Sequence, residues 1–279
     1  MANRYSFEFF PPKTEVGRAK LKDTRSQLAA LNPEFFSVTY GAGGSTRDNT
    51  RDIVLETKKA GLSVAPHLSF GGDEESEILT LLNDYKAAGI DRIVALRGDI
   101  PSGMGATRQV YAKELVEFIR KHTGDHFQLE VAAYPETHPD AKSHQADIQF
   151  LKAKLDAGAN SAITQYFFNA DAYFYFLEDC EKAGIDKPIY PGIMPITNFS
   201  NLARFSRNCG AEIPRWLAQK LEGYGDDQQS IIEFGAEFVS ELCHILMEGG
   251  APGIHFYSMN QVEPIKSIAE AVMSSHPAG

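Results

Sequence analysis

The sequence predicts an α/β protein whose 279 residues form a closed (β/α)8 TIM barrel. The first observation is a repeated pattern in which glycine stands where a helix would stop and a short β-rich run follows, as in KAAGIDRIVALRGD and LDAGANSAITQYFF. The second is helical periodicity between these runs. Strands that alternate with helices form right-handed βαβ units, and eight strands in about 250 residues is the count of a closed barrel. A doubly wound open sheet is the alternative.

The strand candidates begin with the aromatic run RYSFEFF, which Pro11 and Pro12 end because proline cannot donate to a sheet ladder. The next runs are FFSVTY and SVAPHLS, and each later one follows a glycine or leads to a polar strand end. The eight candidates lie at 5–10, 35–40, 62–68, 91–97, 127–134, 161–167, 188–194 and 253–258.

Amphipathic helices are predicted between the strands. Within 140–157, apolar residues recur at three- and four-residue steps, and 226–248 has the same pattern. The longest interruption separates strands seven and eight, where 198–208, 213–223 and 226–248 predict an enlarged helical connection. Because no linker or low-complexity tract divides the chain, we expect one catalytic domain over residues 1–279.

Composition excludes several classes of function. A net charge of −10 and a pI near 5.3 argue against nucleic-acid and anionic-membrane partners, which need a basic surface. No apolar run reaches the roughly 18 residues of a membrane span, and no signal peptide or lipidation motif is evident. Cys180, Cys209 and Cys243 form no CxxC pair, so neither disulfides nor a metal site are indicated. We expect a cytoplasmic protein.

In such a barrel the active site lies at the carboxyl ends of the strands. No predicted strand ends in a lysine, which argues against a Schiff-base aldolase. The lack of an HxH pair argues against a metallohydrolase. No glycine-rich phosphate loop follows strands seven and eight, so a sugar-phosphate site is not expected. The strand-end candidates are Glu8, Thr39, Tyr40, His67, Arg97, Asp99, Tyr134, Glu136, Gln165, Tyr257 and Asn260.

Glu8 is the unusual member of this set, because it stands in an aromatic strand. It is either a solvated carboxylate at a sheet edge or an acid in a cleft, where desolvation raises its pKa. A histidine such as His67 is more often a hydrogen-bonded structural residue than a ligand. The ordinary interpretation of Asp147 and Lys154 is that they lie on the solvent-exposed side of their helix.

The ordered motifs SFEFFPPKTE, SVTYGAGGSTRD, IVALRGDIP, VAAYPETHPDAKS, AITQYFF, PGIMPITNF and HFYSMN closely resemble those of the methylenetetrahydrofolate reductase family. The resemblance runs from residue 6 to about 260. It implies a barrel that holds FAD non-covalently and reduces methylenetetrahydrofolate to methyltetrahydrofolate, which supplies methyl groups for methionine synthesis. The hydride donor would be NADH or NADPH, usually NADH in bacterial members, in a ping-pong reaction. A homo-oligomer is also expected.

The resemblance implies a role for each matching residue. Glu8 matches the general acid that opens the folate ring, and Asp99 matches an aspartate near the flavin pyrimidine that lowers its reduction potential. Substrate contacts fall on Gln165, Phe205 and Tyr257. The FAD positions are Thr39, His67, Arg97, Gly98, Asp99, Tyr111, Ala112, Tyr134, His138, Asp147 and Lys154.

Two departures from the family pattern stand out. Gln261 occupies a position where many relatives carry an arginine suited to the substrate's glutamate tail, and Phe150 replaces a polar residue. Two other functions remain open: a flavin-dependent barrel similar to proline dehydrogenase that oxidises a small amine, or a binding module that kept the barrel. Flavin absorbance and an acid at Glu8 distinguish these alternatives.

Overall fold

Strands and helices alternate along the chain in the computed structural model, which describes residues 3–40, 44–70, 74–97 and 111–278, with the side chains of 44–47 excepted. All strand pairs are parallel. The strands are β1 Arg4–Phe9, β2 Phe35–Val38, β3 Val64–Leu68, β4 Arg92–Ala95, β5 Gln128–Ala133, β6 Ser161–Thr164, β7 Ile189–Tyr190, β8 Gly192–Ile193 and β9 Gly253–Tyr257.

The barrel closes through a strand that is split in two. The sheet order is β7-β6-β5-β4-β3-β2-β1-β9-β8, so β7 pairs with β6 on one side and β8 pairs with β9 on the other. Pro191 separates the halves, since it has no N–H for the ladder, while its carbonyl accepts from His255 N at 3.0 Å. The closed (β/α)8 barrel is therefore confirmed, but the continuous strand expected at 188–194 is wrong.

The helices fill the connections that the periodicity indicates. Between β8 and β9 the chain forms α7, α8 and α9, which confirms the enlarged helical connection. The helices are α1 Glu15–Ala29, α2 Gly44–Lys59, α3 Glu75–Ala87, α4 Ala112–Thr123, α5 His144–Asp156, α6 Ala170–Lys182, α7 Phe199–Cys209, α8 Arg215–Gly223, α9 Gln228–Glu248 and α10 Ile265–Ser275. In the part of the chain that the structure describes, no helix combines the length and apolarity needed to cross a membrane.

Strand alternation decides which side chains face the helices. Phe7 and Phe9 of β1 are buried and stack on Phe36 of β2, with ring centroids 6.1 and 5.2 Å apart. Phe7 also stacks on Phe256 of β9 at 5.3 Å. Because successive side chains of a strand point to opposite faces, this packing directs Glu8 into the barrel interior.

A charged cluster fills the opposite, amino-terminal end of the barrel. Glu130 of β5 is completely buried and accepts hydrogen bonds from Arg4, Arg92 and Ser161. The Arg4 contact is bidentate, at 2.9 and 3.2 Å, and Glu34 pairs with Arg92 from the rim. These charges are stable inside the barrel because each is paired and hydrogen-bonded.

Candidate active site

A cavity of about 540 Å³ opens at the carboxyl ends of the strands, where the sequence places the site. Eight of the residues predicted from the sequence line it. They are Glu8, Thr39, Tyr40, His67, Tyr134, Gln165, Phe205 and Tyr257.

Glu8 forms the polar centre of this cavity with two histidines. Its Oε2 lies 3.3 Å from His67 Nε2 and 3.6 Å from His255 Nε2. Burial raises the pKa of Glu8, but the charge of His67 and the contacts with both imidazoles outweigh it and hold the pKa at about 2. The raised pKa expected from the aromatic strand is therefore wrong, because Phe7 and Phe9 lie on the other face of β1 and the carboxylate meets imidazoles.

His255 is a cavity residue that the site prediction missed. It is buried, and its Nδ1 lies 2.7 Å from Ser6 Oγ across the β1–β9 pair, where Ser6 is in register with His255. Burial lowers the pKa of His255, which keeps it neutral near pH 7. Residues two positions apart on a strand share a face. Because Tyr257 was predicted to face the site, the same alternation could have predicted that His255 faces it as well.

Tyr257 crosses the inner wall of the barrel. Its hydroxyl donates to the carbonyl of Thr164 at 2.7 Å, and burial raises its pKa. Gly192 makes room for the ring, since a Cβ there would lie 2.7 Å from Tyr257 and 2.1 Å from the Thr164 carbonyl. Tyr257 is therefore held in one position against the cavity.

Gln165 and Phe205 approach the cavity from β6 and α7. The Oε1 of Gln165 accepts from the backbone N–H of Tyr166 at 3.0 Å, while Phe205 is 37% exposed. Further cavity residues that the site prediction missed lie beside them. These are Tyr166, Asn208 and Cys209, with the Tyr166 hydroxyl 3.1 Å from Ser206 Oγ and 3.3 Å from Cys209 Sγ.

Four of the eight remaining residues assigned to FAD form a polar chain beside the cavity. Arg97 pairs with Asp140 at 2.6 Å, and the backbone N–H of Asp140 donates to His138 Nδ1 at 3.0 Å. The N–H of His138 donates to Asp147 Oδ2 at 2.7 Å, and the His138 ring meets Tyr134 edge-on at 4.5 Å. Tyr134 thus connects this chain to the cavity.

Lys154 ends the polar chain on α5. Its Nζ donates to the carbonyl of Ala132, a cavity residue, at 2.5 Å. Burial lowers the pKa of Lys154 to about 8, against the opposing charge of Asp147. Asp147 and Lys154 thus belong to this hydrogen-bonded chain, and they do not form the solvent-exposed side of the helix that is the ordinary interpretation of such a pair.

Four predicted residues do not join these groups. Gly98 and Asp99 lie outside the described residues. Tyr111, whose side chain is 48% exposed, precedes α4, and Ala112 is its buried first residue. No contact among the described residues connects either of them to the cavity or to the polar chain.

The turn after β9 is fastened to the end of β1. The Asn260 side chain donates to the Phe10 carbonyl at 2.8 Å and accepts from the Phe10 N–H at 3.1 Å. Ser258 Oγ donates to the carbonyl of Glu8 at 2.6 Å. Met259, which lines the cavity, and Asn260 both have a φ of 54°, the left-handed conformation that costs energy for residues other than glycine. These bonds fix the backbone on either side of the Glu8 side chain.

Comparison with known proteins places this arrangement in a family. A family model described as methylenetetrahydrofolate reductase matches residues 2–273. The chain belongs to the methylenetetrahydrofolate reductase family. This confirms the family resemblance carried by the strand-end motifs.

Two named relatives illustrate the extent of the match to methylenetetrahydrofolate reductases. The 5,10-methylenetetrahydrofolate reductase of Escherichia coli (strain K12) is 44% identical over 259 residues, which cover 92% of this chain and 86% of that protein. The protein of the same name from Buchnera aphidicola subsp. Schizaphis graminum is 41% identical over 264 residues, or 94% and 89% of the two chains.

The chain also resembles a solved structure. An uncharacterized protein from Clostridium thermocellum, which binds two copies of 5-methyl-5,6,7,8-tetrahydrofolic acid, superimposes with a TM-score of 0.69. The alignment covers 99% of this chain and 96% of the other at 18% identity. At that identity the likeness shows the fold.

Proposed function

We propose that this protein reduces methylenetetrahydrofolate to methyltetrahydrofolate with NADH or NADPH, using non-covalently bound FAD. When bound, FAD would accept a hydride from the nicotinamide and pass it to the folate in two successive half-reactions. Methyltetrahydrofolate is a methyl donor, so the product would serve methionine synthesis. We also propose that the whole chain is one catalytic domain, cytoplasmic and homo-oligomeric.

The residues present fit a flavin dinucleotide. A cavity of about 540 Å³ is within the usual size range for cofactor sites, and its walls combine aliphatic and aromatic side chains with a few polar groups. Next to it, Lys154 and Arg97 supply positive charge and the His138 ring supplies a hydrogen-bonding group. A partly desolvated ammonium such as that of Lys154 is well suited to an anionic diphosphate.

The observation that carries the proposal is the contact of Glu8 with His67 and His255 at the strand ends. The methylene carbon of the folate bridges two nitrogens and accepts hydride only after one C–N bond opens. Protonation of the leaving nitrogen assists that step. Glu8 contacts both imidazoles directly, so a proton can move between the carboxylate and an imidazole within this group.

The pKa of Glu8 is near 2 because the charge of His67 beside it favours the ionised carboxylate. Loss of that charge removes the largest influence that lowers the pKa, whereas burial continues to raise it. One proton shared between Glu8 and the imidazole of His67 would then pass through Glu8 to a substrate nitrogen that approaches it, which leaves the carboxylate ionised and the imidazole neutral. Phe205, Gln165 and Tyr257 would hold the pterin and, in turn, the nicotinamide within the same cavity.

Anaerobic half-reactions of the purified protein test this function. We expect flavin absorbance near ~450 nm, bleaching by NADH or NADPH, and recovery of the absorbance on addition of methylenetetrahydrofolate. A colourless protein would contradict the flavin assignment and favour a binding module. Reduction by a small amine such as proline without reaction with reduced nicotinamides would favour the amine oxidase alternative.

A further inference from the structure

Within the described part of the chain, the cavity wall offers no fixed positive charge to an anionic substrate. Among the described residues that line it, the only basic side chains are His67 and His255, and both contact Glu8. The folate of the proposed reaction ends in a glutamate whose carboxylates are ionised at pH 7. The protein itself carries a net charge of −10, so these carboxylates need a local cation.

The turn after β9 does not supply that cation. Gln261 is exposed and neutral, and its backbone N–H donates to the carbonyl of Ser258 at 3.0 Å. A glutamine amide forms weaker hydrogen bonds to carboxylates than a guanidinium does. The tail therefore requires a partner elsewhere on the rim.

Helix α7 places a guanidinium beside an aromatic residue that lines the cavity. Phe205, Asn208 and Cys209 line the cavity and share one helical face because they are three and four positions apart. Arg204 lies at the exposed edge of that face. Its guanidinium carbon is 5.2 Å from the centre of the Phe205 ring, and its Nη2 donates to Asn201 Oδ1 at 3.2 Å.

The charge of Arg204 is available to a ligand. In the described part of the chain no carboxylate forms an ion pair with it, whereas Arg97 is paired with Asp140 and Lys154 is bound to a backbone carbonyl. The contacts with Asn201 and Phe205 restrict the side chain, which lowers the entropy lost when a carboxylate binds.

We propose that Arg204, oriented by Asn201 and Phe205, binds the carboxylates of the substrate's glutamate tail. The inference rests on the proposed function, because it assumes a folate substrate. It makes Arg204 a specificity residue that favours an anionic tail over a neutral one. Arg207 provides a matched control, since it is also an exposed arginine of α7 but donates to the Ala203 carbonyl at 3.2 Å, away from the cavity face.

Equilibrium dialysis of the purified full chain under anaerobic conditions tests the inference. The probes are 5-methyltetrahydrofolate and its diamide, in which both tail carboxylates are carboxamides. We expect the wild-type chain to bind the acid about 3- to 10-fold more tightly, the range for a charged hydrogen bond at an exposed rim. Arg204→Gln should bring this ratio close to one, and Arg207→Gln should keep it.

The outcomes separate the inference from the proposed function. If the wild-type chain binds neither probe, the proposed function fails and the inference fails with it. If it binds both probes equally, or if Arg204→Gln keeps the preference, the inference alone is overturned. If Arg204→Gln and Arg207→Gln reduced the preference for the acid equally, the preference would come from the net charge of the helix, and this result would also overturn the inference. Adding Gln261→Arg to Arg204→Gln should restore the preference for the acid.

Discussion

At the scale of single residues, Glu8 has a charge state set by contacts across the barrel. Burial raises its pKa, yet the imidazole of His67 at 3.3 Å and that of His255 bring the pKa to about 2. Because the folded pKa is lower than the ordinary value of 4.5, this carboxylate stabilises the fold above pH 4.5, and the contribution disappears as the pH falls towards 2.

The first prediction concerns the Glu8→Gln variant. Glutamine has a similar shape but cannot donate a carboxylic proton, so the folate half-reaction should slow by roughly 10²–10⁴-fold. Reduction of the flavin by NADH does not need this proton and should stay within a few-fold of the wild-type rate. Stopped-flow absorbance of the flavin measures both steps. Equal slowing of both half-reactions, or of neither, would make Glu8 a structural residue.

A matched control for Glu8 is Glu136→Gln. Glu136 also follows a strand, but it does not line the cavity, and its carboxylate accepts from the backbone N–H of Glu212 at 2.8 Å. This variant should affect the two half-reactions alike, because Glu136 contacts a connection between helices and donates no proton in the cavity.

The second prediction is that Lys154 retains the flavin dinucleotide. Lys154→Ala removes the ammonium that lies behind the cavity wall and should release FAD on dilution. Lys152→Ala is the control, because Lys152 lies on the same helix but pairs with Asp156 at 3.2 Å on its exposed side. The ratio of flavin to protein absorbance after gel filtration measures retention. Equal retention in both variants would remove Lys154 from the site.

At the scale of elements, the β9–α10 turn fixes the end of β1. Pro11 and Pro12 follow Phe10 and offer no N–H groups, so the strand end depends on partners from other segments. Asn260 supplies both a donor and an acceptor to the Phe10 backbone. The left-handed conformation of Asn260 brings its side chain to that backbone, at a cost that the two hydrogen bonds offset.

The third prediction follows from these two bonds. Asn260→Gly keeps the left-handed backbone accessible but removes both hydrogen bonds, so the free energy of unfolding should fall by about 1–3 kcal/mol. Urea denaturation measures this change. Because the turn also positions Glu8, the folate half-reaction should slow more than the nicotinamide half-reaction. An unchanged free energy of unfolding would show that water replaces the Asn260 contacts.

At the scale of the whole molecule, the two ends of the barrel use buried charge differently. The cavity end holds Glu8 beside groups that can exchange a proton, whereas Glu130 at the other end is bound by two arginines. Burial raises the pKa of Glu130, but Arg4 and Arg92 outweigh it and lower the pKa below its ordinary range. The cluster joins β1, β4 and β5, so it holds the barrel closed at the end away from the site.

The fourth prediction is that Glu130→Gln destabilises the fold by about 3–5 kcal/mol, because it leaves two buried guanidinium groups without their counter-charge. Glu34→Gln is the control. Glu34 contacts the same arginines but is 41% exposed, so its loss should cost at most about 1 kcal/mol. Urea denaturation of each variant measures the free energy of unfolding, and similar losses would contradict the special role of Glu130.

The same cluster predicts the sign of a pH dependence. A lowered folded pKa means that the Glu130 contribution is present above the ordinary pKa of 4.5 and disappears as the pH falls below it. The difference in unfolding free energy between the wild-type chain and Glu130→Gln should therefore shrink as the pH falls below 4.5. A difference that stays constant between pH 7 and pH 3 would contradict this assignment.

Local patterns in the sequence predict the order of elements, the barrel class and most of the polar residues of the cavity. Strand alternation and helix periodicity are local properties, and parallel strands bring their carboxyl ends to one edge. Glu8, His67, Gln165 and Tyr257 could therefore be placed together from the sequence. The family motifs added Lys154, whose position on a helix gave no such indication.

How these residues act on one another depends on contacts that form only when the sheet closes. Ser6 and His255 are 249 positions apart, and the register of β1 with β9 brings them to 2.7 Å. The pKa of Glu8 was expected to rise and instead falls to about 2, because a pKa depends on neighbours in space. Pro191 splits the seventh strand without opening the barrel, since each half finds its partner on a different side. Such contacts depend on the closure of the whole sheet, which no local stretch of sequence encodes.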